Sequence, residues 1–179
     1  MSRHVRRAQL AKIKQVQPKI LVSACLLGYC VRYKGDSCPQ EMLLQPDIRQ
    51  YLLPFCPECA GGLPTPRPPA EIQGKGGGQG VWQQTAKVIN NEGRDVTAEY
   101  QKGALLCLQT MQKKHLTCAI LKQRSPSCGT QEIYDGSFSG AKQTGRGVAA
   151  SLLAQHGIAL YSEEELTPEL MKRLLAKDK

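Results

Sequence analysis

The chain has 179 residues and a formal charge of +9, with 24 Lys and Arg against 15 Asp and Glu. That length carries one domain with a proper core and no need of covalent staples, and no apolar run approaches the roughly 20 residues of a membrane helix. No apolar export signal opens the chain, so a cytoplasmic protein is expected. The eight cysteines then point to metal or redox chemistry rather than to a disulfide framework.

The charge is uneven. Residues 1–19 hold six Lys and Arg and no acid, which leaves the rest of the chain at +3. Residues 1–18 read as a basic tail ahead of a single domain over 19–179. Such an arm can touch nucleic acid, but solvated N-terminal disorder is the expected state, and a nucleic-acid partner is not.

Lys19 to Ala24 reads as a buried strand centred on Ile20-Leu21-Val22. A loop rich in Gly, Tyr, Arg and Lys follows to Cys38, and Pro39 then suits the start of a helix to about Tyr51, broken or kinked at Pro46. Leu52 to Cys56 is a second strand, interrupted by Pro54. Residues 57–80 are crowded with Pro and Gly and are expected to form no regular element. The Gly run near Lys75 lacks the ending of a phosphate loop. Val81 to Asn90 is expected as an antiparallel strand or ribbon. Thr97 is placed to cap a helix to about Lys114 with an apolar stripe of Ala104, Leu105, Leu108 and Met111. Thr117 to Leu121 is the third strand, Gly147 to Gln155 a helix stopped at Gly157, Ile158 to Tyr161 a fourth strand, and Glu163 to Lys177 a polar terminal helix. Strand–helix alternation predicts an α/β fold of one domain, with a mostly parallel sheet, helices on both faces and a Rossmann-like plan.

Three strand-like runs end at a cysteine: Cys25, Cys56 and, beyond a Ser-Pro-Ser corner, Cys128. The carboxyl ends of parallel strands share one edge, where ligands bind, so three thiols distant in sequence are expected to meet there as a metal or cluster site. The plain alternative is three ordinary buried cysteines. Cys56-Pro-Glu-Cys59 is a literal C-x-x-C, but Gly61, Gly62, Pro64 and Pro66 argue against the helix a thioredoxin-like pair needs. A closed zinc or iron site of Cys25, Cys56, Cys59 and Cys128 stays open as a non-catalytic alternative. His4, His115 and His156 fall away from these runs, and Cys107 and Cys118 read as core fillers.

Six ordered motifs carry a resemblance: S-A-C-L-L-G from Ser23, V-R-Y from Val31, C-P-E from Cys56, G-G-L-P-T-P-R-P-P-A-E from Gly61, S-P-S-C-G from Ser125 and Y-D-G-S-F-S-G from Tyr134. Over about residues 19–162 the chain resembles the bacterial YbbK and TudS-like thiouracil desulfurase family. The resemblance implies a 4Fe–4S cluster on Cys25, Cys56 and Cys128, with an open iron that takes the sulfur of a thiolated pyrimidine such as 2-thiouracil, giving uracil and sulfide. Thiolated tRNA is the alternative substrate. Cys59 stands where the family is usually apolar, and Lys34 where many members have Asp.

Around that site, Glu58 is the expected acid–base group, with Ser125 beside it. Ser23, Ser127, Arg67 and Lys122 are expected to contact the substrate or the cluster sulfurs. Arg32 and Tyr33 are expected across the pocket, and Arg124 on a solvated surface.

Overall fold

The computed structural model describes residues 16–176. The basic-arm expectation therefore lies almost wholly outside the described residues. Four strands, β1 (Ile20–Ser23), β2 (Leu52–Phe55), and further along the chain Cys118–Leu121 and Ala159–Ser162, form one sheet in which every pair is parallel. Two antiparallel ribbons lie outside it. The first pairs β3 (Ala70–Gly74) with β4 (Ala86–Asn90), and the second pairs β6 (Glu132–Tyr134) with β7 (Lys142–Thr144). With Cys118–Leu121 as β5 and Ala159–Ser162 as β8, the sheet order is β2-β1-β5-β8.

The two central strands, I-L-V-S and C-A-I-L, are buried at every residue, as strands covered on both faces must be. Alternation sorts their side chains between two cores. Leu21, Ala119 and Leu121 face the helices α5 (Thr97–Lys113) and α6 (Val148–Gln155), while Ile20, Val22, Cys118 and Ile120 face Leu43 and the helix α7 (Pro168–Leu175). Each fully buried Leu, Ile or Val contributes about 1.5–3 kcal/mol. Helices on both faces and a single parallel sheet are the architecture that the strand–helix alternation predicts. Pro54 is tolerated because β2 is an edge strand with a partner on one side only.

The helix expected to break at Pro46 is two single turns, α1 (Glu41–Leu44) and α2 (Pro46–Arg49), joined at an extended Gln45. Residues 57–80 depart from expectation. They hold a helical turn α3 (Pro57–Ala60), strand β3, and a short helix α4 (Gly77–Trp82). Proline and glycine mark the joints here rather than abolishing the elements: Pro57 sits at the first helical position, where its missing N–H is not needed. A helical turn does therefore follow Cys56, contrary to the sequence argument, but it lasts one turn. The strand expected from Val81 begins only at Ala86, because Val81 and Trp82 close α4. Thr97 is the first helical residue rather than the cap. Its amide donates to Asp95 Oδ1 (3.0 Å) and its hydroxyl accepts from the Val88 amide (2.9 Å). The terminal helix is split by Leu166 and Thr167 into a 3-10 turn over Glu163–Glu165 and α7, which buries Leu170, Met171 and Leu174. No helix of the described residues is long and apolar enough to cross a membrane.

Two close backbone approaches position the site. Gly61 and Gly103 let α3 lie directly on α5: a Cβ on Gly103 would stand 1.9 Å from the Pro57 carbonyl oxygen. At the start of α6, the amides of Val148 and Ala149 donate to the carbonyls of Pro126 (2.8 Å) and Ser127 (3.0 Å), and Ala150 also donates to Ser127 (3.1 Å). The Ser-Pro-Ser-Cys-Gly corner is thus the cap of α6, satisfying amides that a helix start otherwise leaves without partners.

Candidate metal centre and its cleft

Cys25 lies in the 3-10 turn Ala24–Leu27 that follows β1, Cys56 follows β2 as the residue before α3, and Cys128 sits on the corner that caps α6. All three are at the carboxyl edge of the parallel sheet; Cys25 feels Cys128 and Cys56 electrostatically, and Cys56 feels Cys128. Cys25 and Cys128 are buried and Cys56 is half-buried. Burial, above all, raises the Cys56 thiol well above its ordinary value, with Glu58 and Cys128 adding to the effect. Burial also raises Cys128 to about 11, against the pull of the Ser23, Ser127 and Ser125 hydroxyls, which favour its thiolate. Ser127 Oγ is buried without a well-formed hydrogen bond of its own; the Cys128 sulfur is the acceptor its electrostatics favour. Soft donors at a helix start, with hydroxyls in need of an acceptor, suit an anionic iron–sulfur group.

Among the described residues, no three His, Cys, Asp or Glu side chains are grouped as a single metal ion would require. The Cys59 thiol is directed to Thr65 Oγ1 (3.5 Å) and the Val31 carbonyl (3.8 Å). A thiol that spacing did not single out is Cys38. Its amide donates to the Cys25 carbonyl (3.0 Å), and the two thiols hydrogen-bond, which is the leading cause both of the rise at Cys25 and of the fall at Cys38 to about 7. The pair lies thirteen positions apart across a loop, and no local pattern marks it.

A cleft of about 950 Å³ opens over this edge, lined by Cys25 and Cys56 and by Ser23, Glu58, Arg67, Lys122 and Ser125. Glu58 is held from three sides. Its Oε2 accepts from Arg67 Nη2 (2.6 Å) and Nε (2.9 Å), and its Oε1 accepts from Ser125 Oγ (3.2 Å). The Tyr100 hydroxyl, on α5, also bonds Glu58; burial first, and this carboxylate second, push the tyrosine well above its ordinary value. Ser125 Oγ in turn accepts from the amides of Ser127 (3.1 Å) and Cys128 (3.0 Å), so one hydroxyl links the carboxylate to the Cys128 corner.

Arg67 is buried and fully engaged. Besides Glu58 it donates to the carbonyls of Pro64 (3.1 Å) and Val31 (3.0 Å) and to Thr65 Oγ1 (3.2 Å). Burial works against its charge, but the carboxylate outweighs that and raises the guanidinium above its usual range. Ser23 Oγ accepts from the Lys122 amide (2.9 Å), and Lys122 Nζ pairs with Glu163 and the Gln123 carbonyl. Arg32 and Tyr33 line the cleft as expected. Arg124 does too, pairing with Glu164, rather than lying on an open surface. Lys34 is exposed, its ammonium 5.6 Å from the centre of the Tyr33 ring. Sequence reasoning also missed Gln123, whose buried Oε1 accepts from the amides of Thr130 (2.9 Å) and Gln131 (3.3 Å) and so shapes the corner.

Fold and site together define a parallel α/β protein with a cysteine-lined ligand cleft at the carboxyl edge of its sheet. The family model for 2-thiouracil desulfurase matches residues 20–165, and the chain belongs to that family. It is 45% identical over 147 residues to the uncharacterized protein YbbK of Bacillus subtilis (strain 168), covering 82% of this chain and 97% of that one. Among solved structures it is similar to the 4Fe-4S-dependent thiouracil desulfidase TudS, with a TM-score of 0.76 and 45% identity over 88% of this chain and 98% of that chain.

Proposed function

We propose that this protein is an iron–sulfur-dependent desulfurase that replaces the sulfur of a thiolated pyrimidine, such as 2-thiouracil, by the oxygen of water, releasing uracil and sulfide in the cytoplasm. What supports the reading is that Cys25 and Cys56 line one cleft at the carboxyl edge of the sheet, and that the Glu58 carboxylate in that cleft is tied through Ser125 to the Cys128 corner. The exchange of C=S for C=O is hydrolytic in electron balance, so no net oxidant or reductant is consumed.

Cys25, Cys56 and Cys128 would hold a 4Fe–4S cluster, which when bound supplies a soft Lewis-acid position for the substrate sulfur. The chain's own groups supply the rest. The Ser23 and Ser127 hydroxyls favour the Cys128 thiolate, while Ser125 gives its hydroxyl proton to Glu58 in a hydrogen bond. Glu58 takes a proton from the attacking water, or returns one to the ring, at the Oε1 oxygen it shares with Ser125. Arg67 orients that carboxylate through two hydrogen bonds, a positioning role in place of direct substrate contact. Lys122, anchored by Glu163, contributes positive charge at the cleft wall. Cys59 is a neighbouring thiol in this reading, since its hydrogen bonds run to Thr65 and Val31.

Anaerobic purification with iron and acid-labile sulfide analysis, followed by chromatography of uracil formed from 2-thiouracil, tests the reading. About four iron and four sulfide per chain with stoichiometric uracil and sulfide are expected. A single zinc per chain, with no turnover of any free thiopyrimidine, would overturn it in favour of a closed four-cysteine site.

A further inference from the structure

We propose that Phe138 is the surface on which the pyrimidine ring of the substrate stacks, an assignment that rests on the desulfurase reading. Phe138 lies at the tip between β6 and β7 and lines the cleft with a residue exposure of 36%. Its φ is +57°, a left-handed conformation in which an aromatic side chain is an outlier and a glycine is at ease. Four non-glycine residues among those described have positive φ, and two of them, Arg124 and Phe138, line this cleft. Backbone strain of this kind persists only where the surroundings over-determine it, and it concentrates at ligand sites.

The surroundings here do so. The buried carboxylate of Glu71 accepts from the amides of Gly136 (2.9 Å) and Phe138 (3.0 Å) through one oxygen. Gln73 Nε2 donates to the Gly136 carbonyl (3.0 Å), and a Cβ on Gly136 would stand 2.6 Å from the Ile72 carbonyl oxygen, so the tip is pressed onto β3. Asp135 Oδ1 accepts from the Ser137 amide (3.0 Å) inside the turn. The whole device holds one apolar ring at the mouth of the cleft. Aromatic residues are scarce in this chain, with two Phe and six Tyr, yet both Phe, together with Tyr33, Tyr100 and Tyr134, line the cleft. A flat base offers such a ring its π face whatever its substituents, and stacking tolerates the sulfur-for-oxygen change that separates substrate from product.

The test uses the holoprotein purified without oxygen, with uracil as a calorimetric probe and 2-thiouracil for steady-state kinetics. Phe138→Gly is expected to raise the uracil Kd and the 2-thiouracil KM roughly 10- to 100-fold, the range set by base–aromatic stacking. Its Tm is expected not to fall, because glycine releases the strain, and the cluster absorbance is expected to be unchanged. Phe138→Tyr keeps the ring and should stay within about threefold of the parent, as tyrosine stacks comparably. A fall in Tm with KM unchanged in Phe138→Gly would make Phe138 a packing residue and overturn the assignment. So would a Phe138→Leu protein that binds uracil as the parent does. A parent protein that neither binds uracil nor turns over any thiopyrimidine overturns the desulfurase reading and this assignment with it, whereas normal turnover with indifferent variants overturns this assignment alone.

Discussion

The two walls of the cleft are held by two carboxylates used in opposite ways. On the cysteine wall, Glu58 accepts from side chains, Arg67, Ser125 and Tyr100, of which the first carries charge and the last can titrate. On the ribbon wall, Glu71 accepts from two main-chain amides, and so fixes a backbone turn. The first arrangement suits a group that handles protons, because its partners can share a change of charge. The second suits a strut, because main-chain amides have fixed positions and cannot titrate. Both sit in low-exposure surroundings, so removing either leaves polar groups without partners; the difference lies in which property fails.

The largest effect is expected on the cysteine wall. Cys128→Ala, and equally Cys25→Ala or Cys56→Ala, should abolish bound iron and turnover. Cys107→Ala, in the same core but inside α5, should keep both and cost about 1 kcal/mol of stability in a urea melt, near the value of one buried methylene. Full iron content in Cys128→Ala would remove the distinction between edge and core thiols.

Next comes the carboxylate on that wall. Glu58→Gln should lower turnover by about 10²–10⁴-fold while retaining iron. It also leaves Arg67 charged in a site where the two side chains are only 13% and 5% exposed, a change that costs about 3–5 kcal/mol. The double variant Glu58→Gln, Arg67→Met should recover most of that stability and none of the turnover. Recovery of both by the double variant would make Glu58 a strut like Glu71.

Glu71→Ala is the matching change on the ribbon wall. The Gly136 and Phe138 amides lose their acceptor, and stability should fall by about 1–3 kcal/mol. Here the kinetic effect is expected in KM rather than kcat, with iron content unchanged. An equal fall in kcat would show that the two walls do not divide binding from chemistry.

The smallest effect is expected at Asp95, outside the cleft, which calibrates the others. The Thr97 hydroxyl and amide, ahead of Lys87, hold its carboxyl at about 2 against an ordinary 3.8. A carboxylate with a lowered folded pKa contributes stability above its ordinary pKa and loses it as the pH falls through the folded value. The contribution is therefore complete above about pH 4 and fades towards pH 2. Asp95→Asn keeps an acceptor for the Thr97 amide and should flatten that stretch of the stability–pH curve. The loss at pH 7 should stay below about 1 kcal/mol, as for exposed pairs generally.

The four parallel strands and the long helix were legible along the chain because each is specified by its own residues. I-L-V and A-I-L runs bury on both faces, and the stripe of α5 repeats at helical spacing. The positions of Cys25 and Cys56 just past β1 and β2 were legible for the same reason, since parallel strands point one way and their ends share an edge. Residues 57–80 were misread because Pro57, Gly61 and Gly76–Gly78 look like breakers in isolation. Their fitness shows only against partners: α3 exists because Gly61 and Gly103 admit its backbone onto α5, and α4 because Gly78 rests against Gly147. The short strands β6 and β7 carry no apolar alternation and were invisible for want of a local signal. The Cys25–Cys38 contact, the Arg67–Glu58 pair and the clamp of Glu71 on Phe138 bring together residues from 9 to 67 positions apart. Hydrogen bonds over such separations depend on where the sheet delivers its loops. That is decided by packing the two cores, not by any preference written in the local sequence.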